Sequence, residues 1–145
     1  MARERLAADG GSILPLVAGV AALGLVIVLL AAGATSLYLE RKRLFDVADA
    51  AALAGAEAFE LDQVSVADGS LSVALRDADV EAAVRRYLAG RPAATAPGVR
   101  LEGATASGST AIVRLSARWR PPVLAALLPE GVRVEATSTA RAVLR

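Results

Sequence analysis

The sequence predicts an α+β protein, in which a long N-terminal membrane-spanning helix extends into a small domain. That domain is expected to hold an antiparallel sheet and one or two packed helices. Residues 13–39 contain no charged side chain, and at ~1.5 Å per residue a helix of that length exceeds the ~30 Å hydrocarbon layer of a bilayer. Beyond residue 63, apolar residues mostly alternate with polar ones, which is the period of a strand.

The chain divides by composition into three parts. Residues 1–11 are predicted to form a short cytoplasmic tail, residues 12–60 a transmembrane helix that continues as an alanine-rich stalk, and residues 61–145 an extracytoplasmic α+β domain. Ser12 is a suitable helix cap. Pro15 fits the first turn, whose amides have no intrahelical partners. We therefore expect one helix to leave the membrane without a break.

The stalk carries a stripe of apolar, mostly small residues at helical spacing. Its members are Leu44, Val47, Ala48, Ala51, Ala52 and Gly55. Such a stripe is stable only when something covers it. We expect either the C-terminal domain or a neighbouring subunit to do so, with Phe59 joining the contact.

The C-terminal part begins with a predicted hairpin and helix. Residues 64–75 alternate around Asp68-Gly69, a strong hairpin turn signal. Residues 77–88 return to helical spacing, and Gly90 is placed to end that helix. The helix is amphipathic, so we expect it to pack on a sheet.

Three further strands are predicted from there to the C-terminus. A weak one starts at Val99, a stronger one with one buried face covers residues 111–119 after a turn at 107–109, and a closing one covers residues 132–144. Pro121-Pro122 interrupts the run, and residues 123–128 predict a short apolar helical turn. That turn would act as a lid over a sheet edge or as an interface patch.

The apolar segment has two alternative interpretations. Arg3 and Arg5 upstream and the small residues of Ala32-Gly33-Ala34 are compatible with a cleaved secretory signal. A typical signal core, however, is only ~7–15 residues long. The segment could also be the core helix of a soluble protein, but a chain of this size can hardly surround so long an apolar helix.

Composition argues against most enzyme classes. The 145 residues include no cysteine and no histidine, which removes thiol nucleophiles, typical zinc sites and imidazole-based acid–base schemes. Carboxylates pair at the helical i, i+3 spacing only at Asp46/Asp49 and Glu57/Glu60, and such pairs usually face solvent. With 16 basic against 15 acidic residues, the charge indicates no nucleic-acid surface. We expect no enzyme, metal, cofactor or small-molecule substrate.

Two features resemble the TadE/TadG-like proteins of the tight-adherence pilus. The first is the stretch Phe45–Ala56, which reads FDVADAAALAGA and directly follows the apolar helix and its basic flank. The second is the C-terminal order of alternating strand, prolines, Leu-Leu segment and closing Ala/Thr-rich strand. The resemblance implies a minor pilin or pseudopilin in the cytoplasmic membrane, which helps assemble, prime or cap a type IV-like pilus. Its implied partners are membrane lipid and other pilus subunits.

Small and polar residues along the helix are the candidate assembly contacts. Small side chains let a second helix approach closely. Asp49 matches an aspartate of the family, and the resemblance implies a helix-packing or intersubunit role for it. The candidates are Ala18, Gly19, Ala22, Gly24, Ala32, Ser36, Asp49, Ala52 and Gly55.

The N-terminus departs from processed pilins, which usually carry glutamate at the fifth position after the glycine at the cut. Counting from Gly11 gives Leu16, and counting from Gly10 gives Pro15. TadG-like members also tend to lack that glutamate. We therefore expect a retained tail and an uncut anchor, with Gly11 as a doubtful processing site.

Orientation raises a conflict between charge and resemblance. Basic residues flank the span on both sides, and the larger cluster, Arg41-Lys42-Arg43, lies on the C-terminal side. The positive-inside rule alone then favours a cytoplasmic C-terminal domain. We expect the reverse, because a protruding helix lifts this cluster from the lipid and pairing with Glu40 and Asp46 mutes its charge.

A second function class remains open from the sequence. The same span could simply tether an extracytoplasmic binding module or envelope scaffold unrelated to pili. In that case an unrelated apolar helix could replace residues 13–39 without loss of function.

Overall fold

The computed structural model describes residues 13–60, 64–67, 70–92, 98–121 and 130–143. Within those residues the chain forms two helices and five strands, in agreement with the predicted α+β class. The elements are α1 (Ile13–Ala56), β1 (Val64–Ala67), β2 (Ser70–Val73), α2 (Asp77–Ala89), β3 (Arg100–Ser107), β4 (Thr110–Trp119) and β5 (Val132–Arg141).

Helix α1 runs without interruption for 44 residues, which corresponds to about 66 Å of helix. The predicted continuous helix is confirmed, but it ends before the expected Glu60. The chain tightens into a turn after Ala56, where the Ala58 amide donates to the Gly55 carbonyl at 3.3 Å. Phe59 then packs against the core.

Strands β3, β4 and β5 form an antiparallel sheet with β4 in the centre. The alternation in β4 places one face inward, as predicted, and its buried apolar residues are Ala111, Val113, Leu115 and Ala117. Gly108 occupies the turn between β3 and β4 with φ +60°, a left-handed conformation that favours glycine. The predicted turn at residues 107–109 is therefore correct.

The core lies between this sheet and the two helices. The C-terminal half of α1 crosses β4 and β5, while α2 packs against α1 and β3. The predicted stalk stripe is buried here, with Ala48, Ala51 and Ala52 at 0% exposure. The chain's own C-terminal domain covers this stripe.

The hairpin and α2 follow the predicted order. Strands β1 and β2 pair antiparallel in a separate sheet, with Ala67 opposite Ser70, and the Asp68-Gly69 turn lies outside the described residues. Strand β2 ends at Val73 rather than Leu75, because the Leu75 amide instead donates to the Gly108 carbonyl at 2.9 Å. Helix α2 stops before Gly90, as expected.

Two further strand boundaries differ from those that the sequence predicts. Strand β3 extends to Ser107, well beyond its weak signal at Val99 and Leu101, because its later residues are small and get their order from pairing with β4. Strand β5 ends at Arg141 rather than residue 144. The predicted short helical turn at residues 123–128 lies outside the described residues.

Candidate membrane and assembly surfaces

The N-terminal half of α1 is left uncovered by the rest of the described chain. Its large apolar side chains are open, with Leu14 at 74%, Val20 at 63% and Leu30 at 62% exposure. Among the described residues, α1 is the one helix long and apolar enough to cross a membrane, and none of its apolar window is buried. Water is a poor solvent for such a surface, so this half of the helix fits a single-pass membrane anchor.

Five of the assembly candidates lie on this uncovered half, and the structure leaves them open. A Cβ added to Gly19 or Gly24 would meet no atom within 4 Å beyond the local helix backbone, and Ala18, Ala22 and Ala32 are exposed. At about 100° per residue, the three alanines lie within about 80° of one another around the helix axis and so share one side of the helix, called here the small-residue line. That line forms a shallow face on which a second helix could approach.

Ser36 and Asp49 instead contact the chain's own sheet. The Trp119 indole N–H donates to Ser36 Oγ at 3.2 Å, and the Ser138 hydroxyl donates to Asp49 Oδ1. These two bonds connect α1 to β4 and β5. Polar side chains that the sequence offers for neighbouring subunits therefore also hold the helix on its own domain.

Ala52 and Gly55 lie inside the fold. Ala52 has 0% exposure. A Cβ added at Gly55 would lie 3.0 Å from Val80 Cγ1 and 3.3 Å from Ala111 Cβ. The two residues set the close approach of α1 to the sheet and to α2. Gly11 lies outside the described residues.

The basic flank after the apolar segment lacks the expected pairing. In the part of the chain described, no ion pair joins Lys42 or Arg43 to Asp46. The Arg41 guanidinium instead lies 5.7 Å from the centroid of the Phe45 ring. The expectation that pairing mutes this charge is wrong, since exposed pairs gain little over solvation.

A cleft rich in arginine lies beside α1, where the helix passes from apolar to charged residues. It has a volume of about 720 Å³, and Ser36 and Glu40 form its wall on α1. Its other charged side chains come from three strands and a loop, and they include Arg100, Arg118, Arg120, Glu130 and Arg133. In the sequence these arginines lie in three separate stretches, at residue 100, at 118–120 and at 133. Nothing in the alternation showed that they meet.

Below this cleft, the end of β4 rests on the apolar part of α1. Trp119 and Pro121 line a small cavity of about 190 Å³ together with Leu29, Gly33 and Leu37. These helix residues belong to the predicted span. The end of β4 therefore lies beside the last part of the predicted membrane span.

One carboxylate in the sheet has a shifted pKa. The Ser116 hydroxyl donates to Glu102 Oε1 at 2.6 Å, and Arg133 Nη2 lies 3.0 Å from the same oxygen. The Ser116 hydrogen bond, followed by the charges of Arg133 and Arg100, lowers the pKa of Glu102, and partial burial opposes this. Glu102 therefore stays ionised and holds three strands together.

The carboxylate pairs singled out in the sequence face solvent. Asp46, Asp49, Glu57 and Glu60 are all exposed. In the described ranges no group of three or more acidic side chains is placed to hold a metal ion. Asp49 has its partner in Ser138.

Comparison with known proteins yields one family match. The family model described as "Putative Flp pilus-assembly TadE/G-like" matches residues 11–58, which cover the whole of α1. The match confirms the resemblance predicted from the apolar helix and the Phe45–Ala56 stretch, and it links the chain to Flp/Tad pilus assembly. No curated protein and no solved structure matches the chain significantly.

Proposed function

We propose that this chain is a membrane-anchored minor pilin or pseudopilin of a Tad-type pilus, which helps assemble, prime or cap the filament. The TadE/G-like match over residues 11–58 supports the pathway. The observation that carries the structural role is the division of α1: one face of its C-terminal half is buried under the chain's own domain, and its N-terminal half is bare. The role needs no catalytic step, cofactor or small-molecule substrate.

The bare half of α1 would make two kinds of contact. Its large apolar side chains, such as Leu23 and Ile27, suit lipid tails. Its line of small residues, Ala18, Ala22 and Ala32, suits the helix of another pilus subunit, because close backbone approach is a main source of helix association in membranes. The buried half then sets the direction in which the domain points from that helix pair.

The proposed orientation places the N-terminus in the cytoplasm and the C-terminal domain outside the cytoplasmic membrane. Arg41, Lys42 and Arg43 would lie on the outer side, against the positive-inside rule. The domain packs against α1 on both sides of this cluster, at Ser36 and from Leu44 onward, so the cluster lies at the level of a folded head. In the assembled filament the domain would make the lateral or tip contacts.

A pair of matched variants tests the helix-packing role. Ala22→Leu adds bulk on the small-residue line, whereas Ala31→Leu makes the same change on the opposite side of the helix; both positions are exposed. We expect Ala22→Leu to reduce the amount of surface pilus and the co-isolation of other pilus subunits, and Ala31→Leu to leave both unchanged.

The control is that both variants stay in the membrane fraction and that protease added to intact spheroplasts digests their domains. Equal pilus levels in the two variants would favour the tethered envelope module over the pilin. Protection of the domain in spheroplasts would overturn the proposed orientation.

A further inference from the structure

The arginine cleft lies at the depth of lipid head groups. If residues 13–32 fill one hydrocarbon thickness of ~30 Å, Ser36 lies roughly 6 Å and Glu40 roughly 12 Å beyond its edge, from the ~1.5 Å rise per residue. Both residues form the wall of the cleft on α1. The head-group layer is roughly 5–8 Å thick on each side, so the Ser36 end of the cleft lies at the level of the lipid phosphates and the Glu40 end lies above them.

Trp119 fixes this depth from the side of the domain. Its indole contacts the apolar face of α1 around Gly33 and Leu37 and donates to Ser36. An aromatic ring with one apolar side and one polar N–H is the kind of side chain that settles at a membrane interface. With residues 13–32 in the hydrocarbon layer, the end of β4 would lie at the membrane surface, and the chemistry of Trp119 suits that position.

The charges in the cleft leave unused positive groups. Arg118 has an ion pair with Glu130 at 3.5 Å, and Arg133 has one with Glu102. Arg133 also contacts a second carboxylate, Glu135, at 2.8 Å. Within the ranges described, the side chains of Arg100 and Arg120 make no ion pair or hydrogen bond, although the charge of Arg100 acts on Glu102. Two of the four lining arginines are thus paired, and Arg100 and Arg120 are the groups open to an anion. Guanidinium forks match the geometry of phosphate oxygens.

We propose that this cleft binds the phosphate of an anionic phospholipid, with Arg120 and Arg100 as the groups that contact it. The lipid tails would continue along the apolar face of α1 below Trp119. Bound lipid would hold the domain at a fixed height and tilt on the membrane. The inference rests on the membrane anchorage in the proposed function and is independent of the pilus role.

The only tryptophan in the sequence, Trp119, lies at the site and serves as the reporter. The full chain is placed in phosphatidylcholine nanodiscs that contain a minor fraction of either brominated phosphatidylglycerol or brominated phosphatidylcholine. We expect the anionic lipid to quench Trp119 more strongly. Arg120→Gln should lower that preference roughly fivefold, the contribution of one basic residue at an anionic surface. Arg114→Gln, on the same strand but outside the cleft, should keep it.

Each other outcome overturns the proposal. Equal quenching by the two lipids shows that the cleft has no preference for the anionic head group. Equal loss in Arg120→Gln and Arg114→Gln shows a general surface charge. Binding of free inorganic phosphate to the chain together with equal quenching by the two lipids indicates a small-anion site, and a requirement for two chains in one disc indicates a neighbouring subunit as the occupant. Because purified chain is used, pilus defects in cells do not affect the result.

Discussion

Small residues determine how closely the elements of this protein approach one another. Gly55 faces α2, and a Cβ at this position would lie 3.0 Å from Val80 Cγ1 and 3.3 Å from Val84 Cγ2. Ala48 and Ala51 are completely buried one and two turns earlier. The alanine-rich stretch of α1 is thus a packing surface as well as a strong helix former.

Gly55→Leu is expected to destabilise the domain. The added side chain has to displace α2 or the sheet, and overpacking of this kind lowers the free energy of unfolding by about 1–3 kcal/mol. Urea unfolding in detergent, followed by Trp119 fluorescence, measures the effect. Gly19→Leu is the matched control, since no atom lies within 4 Å of a Cβ there, and it should unfold like the wild type. Equal free energies of unfolding in the two variants would show that α2 and the sheet move away from the added side chain at no cost in stability.

At the scale of the elements, the sheet is held by a link that strand patterns do not reveal. The register between β3 and β4 shifts between Leu101 and Gly103, and Glu102 at this irregularity meets Ser116 and Arg133. Alternation correctly predicted the buried face of β4 and the order of the strands. It could not predict that Ser116 is buried on the other face, because a bulge changes which residues stand opposite each other.

The stability of the sheet should depend on the ionisation of Glu102. Its pKa is lowered in the fold by the Ser116 hydroxyl and by Arg133 and Arg100. A carboxylate with a lowered folded pKa stabilises the fold fully above its unfolded pKa, and this contribution is lost as the pH falls through the folded pKa. We expect the free energy of unfolding to fall on acidification from neutral pH through this range.

Glu102→Gln should flatten that pH dependence, which urea titrations at a series of pH values would measure. Glu57→Gln is the control, because in the described residues the Glu57 carboxylate is exposed and has no ion pair. It should keep the wild-type slope. An unchanged slope in Glu102→Gln would mean that the link to Ser116 and Arg133 does not contribute to stability.

At the scale of the whole molecule, the N-terminal part of α1 suits lipid and its C-terminal part packs on the domain. The boundary between these parts lies earlier in the helix than the first charged residue suggests. The sequence predicts a span up to residue 39, where the first charge follows. The domain, however, reaches back to Ser36 and Leu29 through Trp119 and Pro121. Hydropathy shows where lipid is tolerated along a helix, but it does not show how far a folded domain reaches down it. That reach depends on the length and direction of β4, which only the assembled sheet defines.

Because one helix joins the span to the domain, the angle of the bare half of α1 relative to the domain should affect pilus assembly. One alanine inserted between Val26 and Ile27 lies below the contacts at Leu29. It turns the preceding residues by about 100° and moves them by about 1.5 Å, so Ala18 and Ala22 no longer lie in line with the domain. We expect loss of surface pilus. Four inserted alanines return the line to within about 40° and should restore part of it.

Electron microscopy and immunoblots of sheared pili would measure the filaments, while membrane fractionation and the Trp119 spectrum check anchoring and the fold. Both insertions lengthen the apolar helix, and the longer one lengthens it more, so a defect caused by span length would be worse with four residues than with one. A defect caused by rotation has the opposite order. Because the two causes predict opposite rankings, the pair of insertions separates a helix that presents a specific face to its neighbours from one that only anchors the domain in lipid.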